Sequence, residues 1–326
     1  MTRSALTIWT NAQFPDEVRA ALAAGVAPHQ LIYAAKINPS NLAASPADPR
    51  LDAADIVFGQ PDAEQVMRLD NLKWIHLTSA GYTAYDRDDF KAALRARGAA
   101  LTTSSGVYDD PCAQHALAMM MAFARRLPES LKTQLGDRAW HWTRRRSESF
   151  LLTGQTALLF GFGAIGIRLC ELLAPFRMDL IGVRRTIKGG EPVRMITDEQ
   201  VAEFLPQADH VIDLLPGNDS TARYFNEGMF RLMKPGALFY NIGRGSTVDQ
   251  EALLAALESG RLAAAYLDVT TPEPLPPEHP LWSAPNCFIT PHSAGGQNRE
   301  AHDLVAHFLE NLRRFTNGRE LLDRIV

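Results

Sequence analysis

Cysteine is scarce in this chain of 326 residues: Cys112, Cys170 and Cys287 stand far apart, in no metal-like or redox-like spacing. That excludes a disulfide framework, gives no reason to expect a metal, and makes a reducing compartment the default. Charge of one sign is also lacking. Lys and Arg total 33 against 37 Asp and Glu, a formal net charge of -4. No overall field therefore draws the molecule to nucleic acid or an anionic membrane. The run Arg144-Arg145-Arg146 is a local exception, read as a solvated or interface face. The opening MTRSALTIWTNAQFPDEV has no long apolar region and meets acidic residues early, unlike a signal peptide or a membrane helix. The expected location is the cytoplasm. Repeats and low-complexity tracts are missing too, and the proline cluster TPEPLPPEHP, Thr271 to Pro280, reads as a loop.

What is present is apolar: 46% of residues are hydrophobic and 21% charged, enough in a chain of this length for two domains with separate cores. Short runs rich in branched residues recur at Leu6-Trp9, Leu31-Ala34, Ile56-Phe58, Trp74-Leu77 and Ala99-Thr102. Segments of helical periodicity, such as Pro15 to Ala24 and Ala63 to Leu69, lie between them. Strand and helix alternating in this way predict a parallel sheet covered on both faces. Next comes DDPCAQHALAMMMAFARRLPESL, Asp109 to Leu131, whose unbroken apolar middle suits a buried core helix rather than a methionine-lined binding surface. A second alternation follows, with strands at Thr156-Phe160, Leu180-Val183, His210-Leu214, Leu238-Ile242, Ala264-Val269 and Cys287-Thr290.

The second alternation opens with LLFGFGAIGIRLCELLAPFRMDLIGVRRT, Leu158 to Thr186. A strand, three spaced glycines, a helix and another strand form a dinucleotide fingerprint. Gly161 permits the tight turn, Gly163 lets the backbone approach a pyrophosphate, and Gly166 lets the helix pack on the sheet. Amides around Ala164 and Ile165, at the positive end of the helix dipole, favour the phosphates. Beyond the next strand an acidic residue would take the adenosine ribose, whereas an arginine pairs with a 2'-phosphate. Here that strand ends in Arg184 and Arg185, and Asp179 stands at its start. NADP(H) is therefore favoured over NAD(H).

Five motifs in order resemble the D-isomer-specific 2-hydroxyacid dehydrogenase family over nearly the whole chain: TSAGY (Thr78 to Tyr82), GFGAIG, NIGRGSTVD (from Asn241), LDVTTPEPL (from Leu267) and TPHSAG (from Thr290). The resemblance makes Arg244 the substrate-binding arginine, His292 the proton donor or acceptor, Glu273 its acidic partner, and Asp268 the holder of the nicotinamide carboxamide. It makes Ser79, Ala80 and Gly81 a substrate-carboxylate loop. It extends the cofactor surface to Leu215, Pro216, Ile242, Gly243, Ala294 and Gly295, with Arg244 and His292. The fold implied is α/β, two doubly wound parallel-sheet domains: a flavodoxin-like substrate domain, residues 1-103 and 296-326, and a Rossmann cofactor domain, residues 104-295, with a cleft between. The resemblance also implies a homodimer, since in that family the segment matching LGDRAWHWTRRRS, Leu135 to Ser147, reaches across to a partner.

The residue types suit that chemistry. A 2-keto acid carries a carboxylate beside its carbonyl, and an arginine fork can anchor the one and polarise the other. During reduction the carbonyl oxygen needs a proton, which an imidazolium delivers near neutral pH. A neighbouring carboxylate favours that imidazolium. Backbone amides of a glycine-containing turn after Trp74-Leu77 can cradle a carboxylate. Other roles stay open: capping a turn is the alternative for Asp268, His115 and His141 have no assignment, and Gln114 and the acidic ending NGRELLDRIV depart from the family pattern. The expected function is reduction of glyoxylate, hydroxypyruvate or a similar 2-keto acid with NADPH. The alternatives are an NAD-dependent dehydrogenase running toward oxidation, as on phosphoglycerate, and a dinucleotide-sensing corepressor without catalysis.

Overall fold

The computed structural model describes residues 5–38 and 45–326. The chain divides into two compact units, one formed by the chain up to Tyr108 together with Gly296–Val326, the other by Asp109–Gly295. The division falls within the helix Ser105–Ala124.

In the first unit the branched apolar runs form β1 (Thr7–Ala12), β2 (Gln30–Asn38), β3 (Ile56–Phe58), β4 (Trp74–His76) and β5 (Ala100–Thr102). They lie in the order β2-β1-β3-β4-β5, all parallel, which is the flavodoxin-like winding. Crossover connections cover both faces of such a sheet, and the period of two sorts its side chains between two cores. Ile8, Ile56, Phe58 and Trp74 face one core, with Leu304 and Phe308 of the C-terminal helix Glu300–Thr316. Trp9, Val57, Ile75 and Leu101 face the other, with Phe90 and Leu94 of the helix Asp88–Ala96. The Phe308 ring stacks on Phe58 at 4.2 Å between centroids and on Trp74 at 5.3 Å, which ties the chain's end to its first sheet.

The second unit holds β6 (Thr156–Phe160), β7 (Asp179–Val183), β8 (Arg194–Ile196), β9 (His210–Asp213), β10 (Ala237–Asn241), β11 (Leu262–Leu267) and β12 (Cys287–Ile289). Their order is β12-β11-β10-β9-β6-β7-β8, again all parallel. Its first six strands follow the Rossmann order, with β12 added at one edge. Two doubly wound parallel sheets are thus the architecture, as the alternating pattern predicts.

Two local expectations fail. The apolar middle of the segment from Asp109 is helical and partly buried, as expected, but the helix does not run on to Leu131, because Arg126 adopts φ 54° and splits the segment into Ser105–Ala124 and Leu127–Leu135. Met120 is buried, but Leu127, Leu131 and Leu135 turn outward, the last 84% exposed. The strand β8 is also absent from the sequence pattern, since three residues, Arg194-Met195-Ile196, are too few to show a period. Among the described residues no helix is long and apolar enough to cross a membrane.

Candidate active site

Register places the site residues of the second unit in one rank. Val183, Phe160, Asp213, Asn241, Leu267 and Ile289 are partners across six neighbouring strands. One residue further along each strand come Arg184, Gly161, Leu214, Ile242, Asp268 and Thr290. This is the carboxyl edge, and the strand order reverses between β6 and β9, where open α/β sheets bind ligands.

The glycine loop lies at that reversal. Gly161 has φ +84°, and a Cβ there would stand 2.6 Å from the Leu214 carbonyl oxygen, so only glycine fits. Gly163, by contrast, has open space: a Cβ there would meet only the Gly161 oxygen at 4.0 Å. Gly166 packs against Phe162 and Leu214 at the start of the helix Ala164–Leu173. The amides of Ala164 and Ile165 open that helix, where no earlier helical carbonyl can accept from them. An open cradle faced by free amides fits the pyrophosphate of a dinucleotide. Leu215 and Pro216 form the adjoining wall, and a Cβ on Gly243 would meet the Leu215 oxygen at 2.6 Å. At the end of β7, Arg185 is exposed and its guanidinium donates to Ser220 Oγ at 3.4 Å. Arg184 is half-buried and stands 3.8 Å from Glu191. Asp179 begins β7, at the opposite end of the strand.

Arg244 follows β10 in a tight turn. Its carbonyl accepts from Asn241 Nδ2 at 2.9 Å and from Thr247 Oγ1 at 2.6 Å, and its Nη1 donates to the Gly243 carbonyl at 2.6 Å. Gly245 lets the turn press on the Thr270 backbone, because any Cβ would collide there. That contact sets Arg244 beside the loop carrying Glu273. Burial pushes the Arg244 guanidinium below its usual value, while Glu273 and Cys112 oppose the shift. An arginine still keeps its charge near neutrality.

His292 Nδ1 lies 2.8 Å from Glu273 Oε2, and the Thr270 amide donates to Glu273 Oε1 at 3.0 Å. Burial pushes the Glu273 carboxyl up. The bonds from His292 and Thr270 and the nearby charges of His292 and Arg244 outweigh it, holding the carboxyl below its ordinary range. An ionised Glu273 accepts from Nδ1–H, which leaves Nε2 for proton exchange. His292 has φ 51°, a left-handed conformation uncommon for side chains with a Cβ. Asp268 holds it there: its carbonyl accepts the His292 amide at 2.8 Å, and its carboxylate accepts the amides of Ser293 and Ala294, each at 2.9 Å. Thr290 Oγ1 donates to the same carboxylate at 2.5 Å, and Tyr266 and His115 continue the chain of hydroxyl and ring contacts.

The Ser79, Ala80 and Gly81 turn belongs to the first unit, after β4. Ser79 is buried and donates to the Gly81 carbonyl at 2.6 Å, and it accepts from Gln60 Nε2 at 2.9 Å. Its hydroxyl is thus spent on shaping the turn. The sequence reading overlooked Gln60, Asp213, Thr247 and Thr290, all polar residues at or beyond strand ends that hold site loops in place. The one available signal was a polar side chain closing an apolar run. Among the described residues no group of three or more His, Cys, Asp or Glu is placed to hold a metal.

Residues 117–294 match the family model described as D-isomer specific 2-hydroxyacid dehydrogenase, NAD binding domain. The chain is 35% identical over 246 residues to a glyoxylate reductase/hydroxypyruvate reductase of Mus musculus, covering 72% of each chain. It is 30% identical to glyoxylate/hydroxypyruvate reductase B of Klebsiella pneumoniae, covering 81% of this chain and 82% of that one. Among solved structures, a D-isomer specific 2-hydroxyacid dehydrogenase from Xanthobacter autotrophicus, in complex with NADPH and MES, superposes with a TM-score of 0.81. It shares 26% identity, with 99% of this chain and 98% of that chain covered. With the Rossmann winding, the glycine loop and the arginine, glutamate and histidine gathered in one unit, the chain belongs to the D-isomer-specific 2-hydroxyacid dehydrogenases, oxidoreductases that use a nicotinamide dinucleotide.

Proposed function

We propose that this dehydrogenase reduces a small 2-keto acid, such as glyoxylate or hydroxypyruvate, to the D-2-hydroxy acid, with NADPH as its preferred reductant. The 2.8 Å pair of His292 and Glu273, on the loops beside Arg244, carries this reading. Arg244 binds the substrate carboxylate and polarises the adjacent carbonyl. His292, oriented through Nδ1 by Glu273, gives its Nε2 proton to the oxygen as negative charge develops there. The dinucleotide, when bound, supplies hydride to the carbonyl carbon. Its pyrophosphate would be held at Gly161, Gly163, Ala164, Ile165 and Gly166. Leu215, Pro216, Ile242, Gly243, Ala294 and Gly295 would line its course. Asp268 Oδ2 takes one amide, from Ala294, and has a lone pair left for the carboxamide. In the same reading the backbone amides of the Ser79–Gly81 turn have an anion-binding role.

Two observations support the choice of substrate and cofactor. Relatives in mouse and Klebsiella carry glyoxylate and hydroxypyruvate reductase names, and the Xanthobacter relative was solved with NADPH. Arg184 and Arg185 stand at the end of β7, where a 2'-phosphate would lie. The test is a panel of 2-keto acids with NADPH and with NADH, followed by absorbance, on wild type and on Arg184→Ala/Arg185→Ala. The double variant should raise the Michaelis constant for NADPH by roughly tenfold to a hundredfold, the worth of a charge-assisted bond or two, and leave that for NADH nearly unchanged. Equal effects on both would overturn the preference, and no turnover with any keto acid would overturn the reaction.

A further inference from the structure

Asp213 ends β9 at the reversal point of the second sheet and is fully buried. Its Oδ1 accepts the Leu215 amide at 2.9 Å. Its Oδ2 lies 2.5 Å from Oγ1 of Thr247, which is equally buried. That same Oγ1 lies 2.6 Å from the carbonyl oxygen of Arg244. Oxygens this close on two sides need a proton in each gap, yet a threonine hydroxyl has only one. The Arg244 carbonyl can only accept, so the threonine proton fills that gap. The proton in the other gap has to come from Asp213.

We propose that Asp213 is held as the neutral carboxylic acid and is a positioning residue for Arg244, donating to Thr247, which in turn donates to the Arg244 carbonyl. Its importance to the reaction rests on the role proposed above for Arg244. The acid also fixes Leu215, whose backbone stands against both functional loops: a Cβ on Gly161 would come within 2.9 Å of the Leu215 nitrogen, and one on Gly243 within 2.8 Å. One buried proton thus couples the wall of the glycine loop to the arginine turn. When Asp213 ionises, the single threonine proton can serve only one of its two acceptors, and when it turns to Asp213 the Arg244 carbonyl is left with Asn241 Nδ2 and the Thr247 amide, a looser hold on the turn.

The surroundings agree. Burial pushes Asp213 up to about 7, against the lowering by its bonds from Thr247 and Leu215. Of the elements packed around it, β6 (TALLF) offers no titratable group. Tyr240 on β10 and Tyr224, ahead of the helix Glu227–Leu232, are both raised by burial and stay neutral. His210, at the start of β9, is pushed down to about 4 by burial and is also neutral. Arg244, whose carbonyl Thr247 holds, has its own charge matched by Glu273.

The sign of the pH effect follows from linkage. The folded value lies above the unfolded one, so between about pH 4 and about pH 7 the native state holds a proton that the unfolded chain lacks. Stability from this group therefore falls as pH rises through that window and is level above it. Asp213→Asn is isosteric and always neutral, with an amide N–H for Thr247 and an oxygen for Leu215. Wild type and Asp213→Asn, full length and without ligand, would be melted across this range. The variant's advantage in melting temperature should grow up to about pH 7 and then stay constant. A constant offset, or one shrinking with pH, overturns the proposal. The infrared carbonyl band of a protonated buried acid should appear in wild type below about pH 7, and its absence overturns the proposal even if the variant fails to fold. Both readouts need no substrate, so they stand whatever the reaction proves to be. The positioning role is read on the enzyme. In wild type the Michaelis constant for the keto acid should rise above about pH 7 with a smaller change in kcat, and in Asp213→Asn it should not. An identical pH dependence in both proteins overturns that role.

Discussion

At φ 51°, His292 occupies a conformation that costs a side chain with a Cβ about 1–3 kcal/mol, and three hydrogen bonds to Asp268 from its own and the two following amides hold it there. The strained backbone fixes the ring toward Glu273, and the ring's other nitrogen remains for chemistry. Replacing His292 with alanine should cost roughly 10²–10⁴ in turnover, the usual worth of a positioned acid, while dinucleotide binding followed by fluorescence persists. Glu273→Gln keeps the hydrogen bond but removes the negative charge 2.8 Å from Nδ1. The imidazolium that proton transfer requires then lacks its charged partner, and turnover should fall while dinucleotide binding persists; unchanged turnover would show that Glu273 does not act on the ring. Glu273 lies below its ordinary 4.5, so the pair is intact above that value and is lost as pH falls through the depressed one. These residues were legible through the resemblance of their motifs, since a lone histidine after a strand or a glutamate in a proline-rich loop carries little by itself. Asp213 and Gln60 were not: each closes an apolar strand, and their partners Thr247 and Ser79 come from distant parts of the sequence.

At the level of elements, the two glycines of the nucleotide loop separate folding from binding. Gly161→Ala puts a side chain at φ +84° and 2.6 Å from a carbonyl oxygen, so it should lower the melting temperature of the free protein. Gly163→Ala meets nothing closer than 4.0 Å and should leave that temperature nearly unchanged, yet fill the space a pyrophosphate needs and weaken dinucleotide binding. If titration shows Gly163→Ala binding as wild type does, the cradle has been placed wrongly. Strand and helix alternation could be read because buried parallel strands are short apolar runs between glycine and proline signals. The break at Arg126 could not, since nothing in FARRLPE marks an arginine for positive φ except the proline two residues later. The C-terminal helix shows what packing adds. Phe308 is fully buried between Phe58 and Trp74, and Phe308→Ala should cost about 3–5 kcal/mol in chemical denaturation. A loss below about 1 kcal/mol would mean that this helix is not integral to the first sheet.

For the molecule as a whole, the stretch from Leu127 to Leu151 is the part that its own unit leaves uncovered. Trp140 is 90% exposed and Leu135 84%, and Leu127, Leu131, Trp142 and Leu151 are each at least half exposed. A run of large apolar side chains facing water is unusual on a monomer, and arginines around tryptophans are the composition of an interface. Arg138, Arg144, Arg145 and Arg146 supply them, with Arg146 lying over the Trp142 ring. A second copy of the same chain would satisfy this surface without any other partner, because a two-fold axis would set the same patch against itself. The expected species at micromolar concentration is therefore a homodimer of about twice 36.0 kDa by light scattering. Trp140→Glu with Trp142→Glu should shift it to monomer, because each substitution buries a carboxylate without a partner in the interface. The far-ultraviolet dichroism should not change, since neither tryptophan is part of a core in its own unit. A wild type already monomeric under these conditions would refute the assembly, and the exposed run would then need a different partner.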